Sequence, residues 1–181
     1  MLVLKSIVLA VVGLTSTVAA AACCSAEKRD VGGLRSDFAL LNTAVKYNLG
    51  NITAYNGGVD NLGPLVTAGQ LVSTVLTKTT ADITAHAAFT TSDSITMLIE
   101  ATNTLALLTN TLNALNNKQL LFRAAGIHTV VLKSIQEHSA EESEMYDQLV
   151  AKATNDTKSS FRGLQDTLKQ LYDIVIKAYS A

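Results

Sequence analysis

Three histidines, His86, His128 and His138, and an acidic run of Glu137, Glu141, Glu142, Glu144 and Asp147 are the residues of this chain whose types could bind a metal ion or move protons. Paired metal-binding histidines on a helix stand at i and i+4, so that both rings leave one face. These three show no such spacing. The acidic run lacks the glycine-centred loop of alternating oxygen ligands that calcium requires, and it reads as the solvated face of a helix. There is no G-x-S-x-G, H-E-x-x-H, phosphate-cradling glycine loop or C-x-x-C. No catalytic residue, metal site or cofactor is therefore expected. The polar residues that remain of interest fall inside apolar stripes, where a ligand's head group could be held: Thr102, Thr109 and His128. For the two threonines the alternative is a hydroxyl bonded back to the preceding helical turn. Asn51-Ile52-Thr53 and Asn155-Asp156-Thr157 are N-glycosylation acceptors, the second in a polar stretch and the first near a helix end.

The elements that must position these groups are helical throughout. The stretch Ser94 to Asn117 carries one charge, Glu100, and its apolar residues cover more than half of a helix circumference. That breadth exceeds the ~100° stripe of an ordinary surface helix and calls for apolar partners on several sides. Before it, Val31, Leu34, Phe38, Leu41, Val45, Leu49, Ile52 and Tyr55 recur at three and four from Asp30 to Tyr55, and Asn56-Gly57-Gly58 stops the pattern. Pro64 suits the start of a second helix reaching about Ala88. Thr90 to Asp93 forms a capping segment with Ser92 as the expected N-cap. After a turn at Asn116-Asn117, a fourth helix carries Leu120, Leu121, Ala124, Ile127, His128, Val131 and Ile135. Its stripe lapses at His138 to Glu142, where Ser139 and Glu142 have capping-box spacing. A kink or restart within one element ending near Lys152 is expected there, with two separate helices as the alternative. A polar loop at Thr154 to Thr157 leads to a last helix, Lys158 to Tyr179. No segment alternates, so the fold class is all-α: an antiparallel bundle of about five amphipathic helices with no sheet.

At the N-terminus, Lys5, the apolar run Ile7 to Val18 and the small residues Ala19 to Ala22 read as a signal peptide over residues 1–22. Residues 23–29 form a segment that the dibasic pair Lys28-Arg29 could release, leaving 30–181 as the helical-bundle domain. Cys23 and Cys24, the only cysteines, are adjacent and poorly placed to staple a fold. Removing Lys5, Lys28, Arg29 and Glu27 from the 14 basic and 15 acidic residues leaves 11 against 14, a formal charge of −3 that argues against nucleic acid. The chain should be secreted, with no transmembrane segment.

The chain has no Trp, and its apolar residues are mostly of medium or small size. Wide stripes of such residues can close on a solid core or stand apart around an apolar cavity, and spacing leaves both open. The candidate cavity-lining positions are Phe38, Leu41 and Val45 on the first helix, and Val72 and Val75 on the second. Leu98, Leu105, Leu108 and Leu112 follow on the third, and Leu121, Val131 and Ile135 on the fourth. Leu164, Leu168, Leu171 and Val175 complete the set on the last.

Several segments in order carry a resemblance: the secretion signal, Lys28-Arg29-Asp30-Val31, the first helix ending in Tyr55-Asn56-Gly57-Gly58, Thr- and Ala-rich middle helices, Phe122 to Ile127 (FRAAGI), and a last helix closing in Ala178-Tyr179. Together they resemble the fungal hydrophobic surface-binding protein A family, also described as antigenic cell wall galactomannoproteins. The resemblance implies an all-helical extracellular or cell-wall protein that adsorbs to hydrophobic surfaces, with some members holding a fatty acid between helices. It also implies secreted polyester-degrading enzymes as partners of some members. A non-catalytic protein binding long-chain fatty acids or other lipids, or adsorbing to hydrophobic surfaces, is the function expected. The alternative is a structural or adhesive cell-wall mannoprotein with a solid core that coats such surfaces or recruits those enzymes.

Overall fold

The computed structural model describes residues 30–180; the signal peptide, Cys23, Cys24 and the dibasic pair lie outside the described residues. Among the described residues the elements are α1 (Val31–Ala54), a single 3-10 turn (Val59–Asn61), α2 (Gly63–Ala85), α3 (Thr91–Ala124), α4 (His128–Lys152) and α5 (Asn155–Ser180). No helix among them is long and apolar enough to cross a membrane.

Local chemistry sets the ends. The Asp30 carboxylate accepts from the Gly33 N–H at 2.9 Å and caps α1. Gly57 and Gly58 take positive φ in the turn beyond it. The cap of α3 is Thr90 rather than Ser92: Thr90 Oγ1 accepts from the Asp93 N–H at 3.2 Å, and the Asp93 carboxylate accepts from the Thr90 N–H at 3.3 Å. This reciprocal pair satisfies two donors that a helix start otherwise leaves open.

Asn116-Asn117 is not a turn. α3 runs through it for 34 residues, about 51 Å at 1.5 Å per residue. Asparagine costs a helix only a few tenths of a kcal/mol, which the burial of Leu112 and Phe122 on either side outweighs. The break comes at Gly126, whose φ of +72° lets its N–H reach the Arg123 carbonyl at 2.9 Å while the Ile127 N–H reaches that of Phe122 at 3.0 Å. Gly126→Ala should therefore cost about 1 to 2 kcal/mol, a backbone penalty because a Cβ there meets open space. A thermal midpoint unchanged by that substitution would contradict the assignment.

α4 is likewise one continuous helix, with no restart and no division into two helices at His138 to Glu142. Its stripe lapses because a core position is occupied by a carboxylic acid: Glu142 is 2 % exposed, and so is not part of a solvated acidic face. The expected loop at Thr154 to Thr157 is also shorter, since α5 begins at Asn155 and Thr157 is buried.

Odd- and even-numbered helices run in opposite directions. α1 packs on α2 and α3, α3 on α5, α5 on α4, and α4 back on α2, so the five helices close into a ring, with a lighter α3–α4 contact. The ring is clasped at one end by the Phe89 N–H donating to the Lys152 carbonyl at 2.8 Å and the Thr154 N–H donating to Ser94 Oγ at 3.0 Å. At the other end Phe122 stacks on Tyr55 with centroids 4.7 Å apart and tilts against Tyr179 at 6.4 Å. Along the side, Lys78 pairs with the buried Asp37 of α1 and, at 2.8 Å, with Asp82.

The ring has a geometric consequence. Five axes about 9 Å apart place the centre about 8 Å from each axis, beyond the ~5–6 Å radius of a helix with its side chains. Only long side chains, or something else of the same width, can fill the middle.

Candidate functional site

Along much of the axis the filling is complete. Phe38, Met97, Met145, Tyr146 and Phe161 are fully buried, and the Tyr146 hydroxyl donates across to the Ala101 carbonyl at 3.1 Å. Among the described residues lies a cavity of about 30 Å³ to whose wall all five helices contribute. Its apolar wall is Val45 of α1, Val72 of α2, Leu108, Leu112 and Leu115 of α3, and Ile135 of α4. Its polar wall is Asn48, Thr111, His138, Glu142 and Tyr172.

Of the expected lining positions, Val45, Val72, Leu108, Leu112 and Ile135 meet at this cavity. Phe38, Leu41, Leu105, Leu168 and Val175 are buried in the same core away from it, while Val75, Leu98, Leu121, Val131, Leu164 and Leu171 are half-buried against that core. The expected polar contacts are not at the cavity. Thr102 is exposed and donates to the Leu98 carbonyl at 2.7 Å, and Thr109 donates to that of Leu105 at 2.8 Å, so each hydroxyl is spent within its own helix. His128 opens α4, its Nδ1 buried without a partner. His86 lies at the opposite end of the ring, against Phe89, and His138 contacts α2 through Nε2 and the Gly69 carbonyl at 3.3 Å. The three histidines thus share no site.

Sequence reasoning missed the polar wall. Glu142 could have been found as the acid standing where the α4 stripe requires an apolar residue. Burial pushes its carboxyl up to about 8, with the Glu141 charge adding to the rise and the Tyr172 hydroxyl, within hydrogen-bonding reach, opposing it. Glu142 Oε2 has no partner. Tyr172 and Tyr146 are raised too, first by burial and then by the charge a Glu142 anion would carry. At neutral pH the cavity wall therefore holds an acid in its protonated form, able to donate a hydrogen bond inward.

Outside the ring, α2 and α4 border an open groove of about 450 Å³, floored by Leu76, Thr80, Ala81 and Thr84 and edged by Glu141 and Glu144. The seam between groove and cavity is closed by Ser73 Oγ donating to the Glu141 carboxylate at 2.6 Å and by the His138–Gly69 contact.

The family model described as "Hydrophobic surface binding protein A" matches residues 33–151. Ligand binding domain 1 of the Penicillium marneffei MP1 protein, complexed with arachidonic acids, superposes with a TM-score of 0.79 at 18% identity over 84% of this chain and 100% of that one. AFMP4P in complex with palmitic acid gives 0.80 at 17% identity over 83% and 99%. Ligand binding domain 2 of the MP1 protein, complexed with multiple arachidonic acids, gives 0.79 at 14% over 86% and 99%. At these identities the likeness is one of fold. No curated protein matches the sequence.

Proposed function

Because the chain belongs to the hydrophobic surface binding protein A family, we propose that it is a secreted, non-catalytic protein that takes a long-chain fatty acid or similar lipid onto the axis of its helical ring. The observation that carries this reading is the cavity to which all five helices contribute, with an apolar wall of Val, Leu and Ile side chains and polar groups beside it. Solved structures of the same fold bear arachidonic or palmitic acid, which supports it. A lipid pocket needs on the order of 300 Å³, about ten times the volume now open. Uptake must therefore part the helices or displace core side chains. Burial of ~0.8 kcal/mol per CH₂ offsets that cost over a long chain. The α2–α4 seam, with a groove on one side and the cavity on the other, is the route inward this reading assigns.

Mass spectrometry of an organic extract from natively purified protein, with uptake of a labelled fatty acid, tests the reading. Bound acid or saturable uptake is expected; neither appearing would remove it. A second mode, adsorption to hydrophobic surfaces, is the one the family's description names, and the exposed Leu120 and Ile174 are side chains it would use. Retention on polyester beads in high salt would show it, and a wall or extracellular location with recruitment of polyester-degrading enzymes fits this mode. Asn155 is exposed and free to accept a glycan, whereas the Asn51 amide donates to the Tyr47 carbonyl at 2.8 Å. The dibasic pair directly precedes Asp30, so trimming there would keep the cap of α1.

A further inference from the structure

The polar part of the cavity wall is drawn from four helices: Asn48 of α1, Thr111 of α3, His138 and Glu142 of α4, and Tyr172 of α5. Most of its members are already engaged. Thr111 donates to the Leu107 carbonyl at 3.0 Å, His138 meets Gly69, and Tyr172 lies against the Glu142 carboxyl. Glu142 Oε2, by contrast, is wholly enclosed and without a partner. An unpaired buried oxygen is costly, and on a residue that lines a cavity it is a place where a ligand atom, admitted as the helices part, would complete the hydrogen bonding.

We propose that this pocket receives the carboxylate head of a fatty acid, with Glu142 as its direct hydrogen-bond partner and Tyr172 as the group that orients Glu142. The proposal rests on the fatty-acid reading above and adds to it the site and chemistry of the head group. A protonated Glu142 donates an O–H to the ligand's carboxylate, one of the stronger hydrogen bonds available, and the two carboxyls then share one proton. Once Glu142 is ionised, two carboxylates face each other where water cannot screen them, and the acid is expelled. A fatty alcohol of the same length behaves differently, because its own O–H can donate to the ionised Glu142. The pocket thus distinguishes acid from alcohol by pH. The titratable groups around Glu142 are His138, Glu141 and Tyr146 on α4 and Tyr172 on α5; Asn48, Val72 and Thr111 face it from α1, α2 and α3 and do not titrate. Glu141 is held by Ser73, and burial keeps both tyrosines neutral beyond their ordinary range.

The test is partition of radiolabelled hexadecanoic acid and hexadecanol between the full protein and phosphatidylcholine vesicles, from about pH 7 to about pH 9.5, for the wild type and Glu142→Gln. Comparing the two proteins at each pH cancels the titration of the acid in the vesicles and leaves any contribution of His138 common to both. Because only the protonated pocket is competent, wild-type affinity for the acid should fall about 30-fold relative to the variant over this range. Affinity for the alcohol should not change. Parallel pH profiles for the acid in the two proteins would overturn the proposal while leaving lipid binding intact, and so would equal wild-type losses for acid and alcohol. If the variant binds too weakly to read, that second comparison decides once the acid's own titration, measured by its partition into the same vesicles without protein, has been subtracted. Wild-type protein that takes up neither lipid at any pH would instead remove the fatty-acid reading itself.

Discussion

Replacing Glu142 by glutamine is expected to abolish a pH dependence of stability that the wild type shows between about pH 4.5 and 8. In the folded chain the carboxyl is pushed up to about 8, chiefly by burial, from an ordinary value of 4.5. Between those two values the folded state holds a proton that the unfolded state has released. Stability therefore falls as pH rises through the window, by about 1.4 kcal/mol per unit from this group, and the group's contribution is level below and above it. Glutamine has nearly the same shape and cannot ionise. At pH 8 the variant should exceed the wild type by on the order of 3 kcal/mol, roughly 6 to 12 °C in midpoint for a chain of this size. Near pH 4.5 the two should be close. Thermal or urea unfolding at several pH values reads this directly, and because other titrating groups are common to both proteins, the difference between the curves belongs to Glu142. Curves that run parallel would mean that the carboxyl finds a stabilising partner once ionised.

The second large effect is expected at the opposite kind of site. Phe122 is buried where α3 nears its end, stacked on Tyr55 and tilted against Tyr179, so one ring joins three helices. The hydroxyls around it are committed: Tyr55 donates to the Gly58 carbonyl at 3.2 Å and Tyr179 to that of Leu115 at 2.7 Å. Neither neighbouring ring can tilt into a vacated space without breaking a hydrogen bond. Phe122→Ala should accordingly lie in the usual range of about 3 to 5 kcal/mol for a buried aromatic truncation, with a midpoint lower by about 10 °C or more. Phe122→Leu should recover much of the loss by refilling volume. A cost below about 1 kcal/mol for the alanine variant would show that the cluster is an ornament of the ring's end and not a clamp.

How far the site could be read from residue order is clearest on α3. Its buried positions Ser94, Met97, Ala101, Thr104, Leu108 and Thr111 repeat at three and four, continuing through the half-buried Leu115 to Phe122. A search for apolar residues passes over this pattern because three of its positions, Ser94, Thr104 and Thr111, carry hydroxyls. Threonine can serve there because its proton goes to its own helix: Thr104 donates to the Glu100 carbonyl at 3.0 Å and Thr111 to that of Leu107, leaving each methyl to pack. The same search assigns Ile95 and Ile99 to a buried arc, yet both are exposed, so part of the breadth of this stripe is surface rather than core. Position 142 fails for the mirror-image reason. Glutamate normally marks the solvent face of a helix, and only the packing of α5 against α4, which brings Tyr172 over it, makes it an interior group.

By itself, the order of residues determined that the chain is helical, that there are five amphipathic segments, and roughly where four of the five begin. Periodicity at three and four, Pro64, the glycines after α1 and the capping residues before α3 act within a few residues of one another, and local chemistry of that kind is legible in one dimension. What only the tertiary structure decided is the closed order of the helices in the ring, the survival of α3 through Asn116-Asn117, and the meeting of Val45, Val72, Leu112, Glu142 and Tyr172 around one cavity. Those outcomes depend on which faces of distant helices bury each other and on what space is left at the centre. No spacing along the chain encodes a distance between helices that are neighbours only in the folded ring.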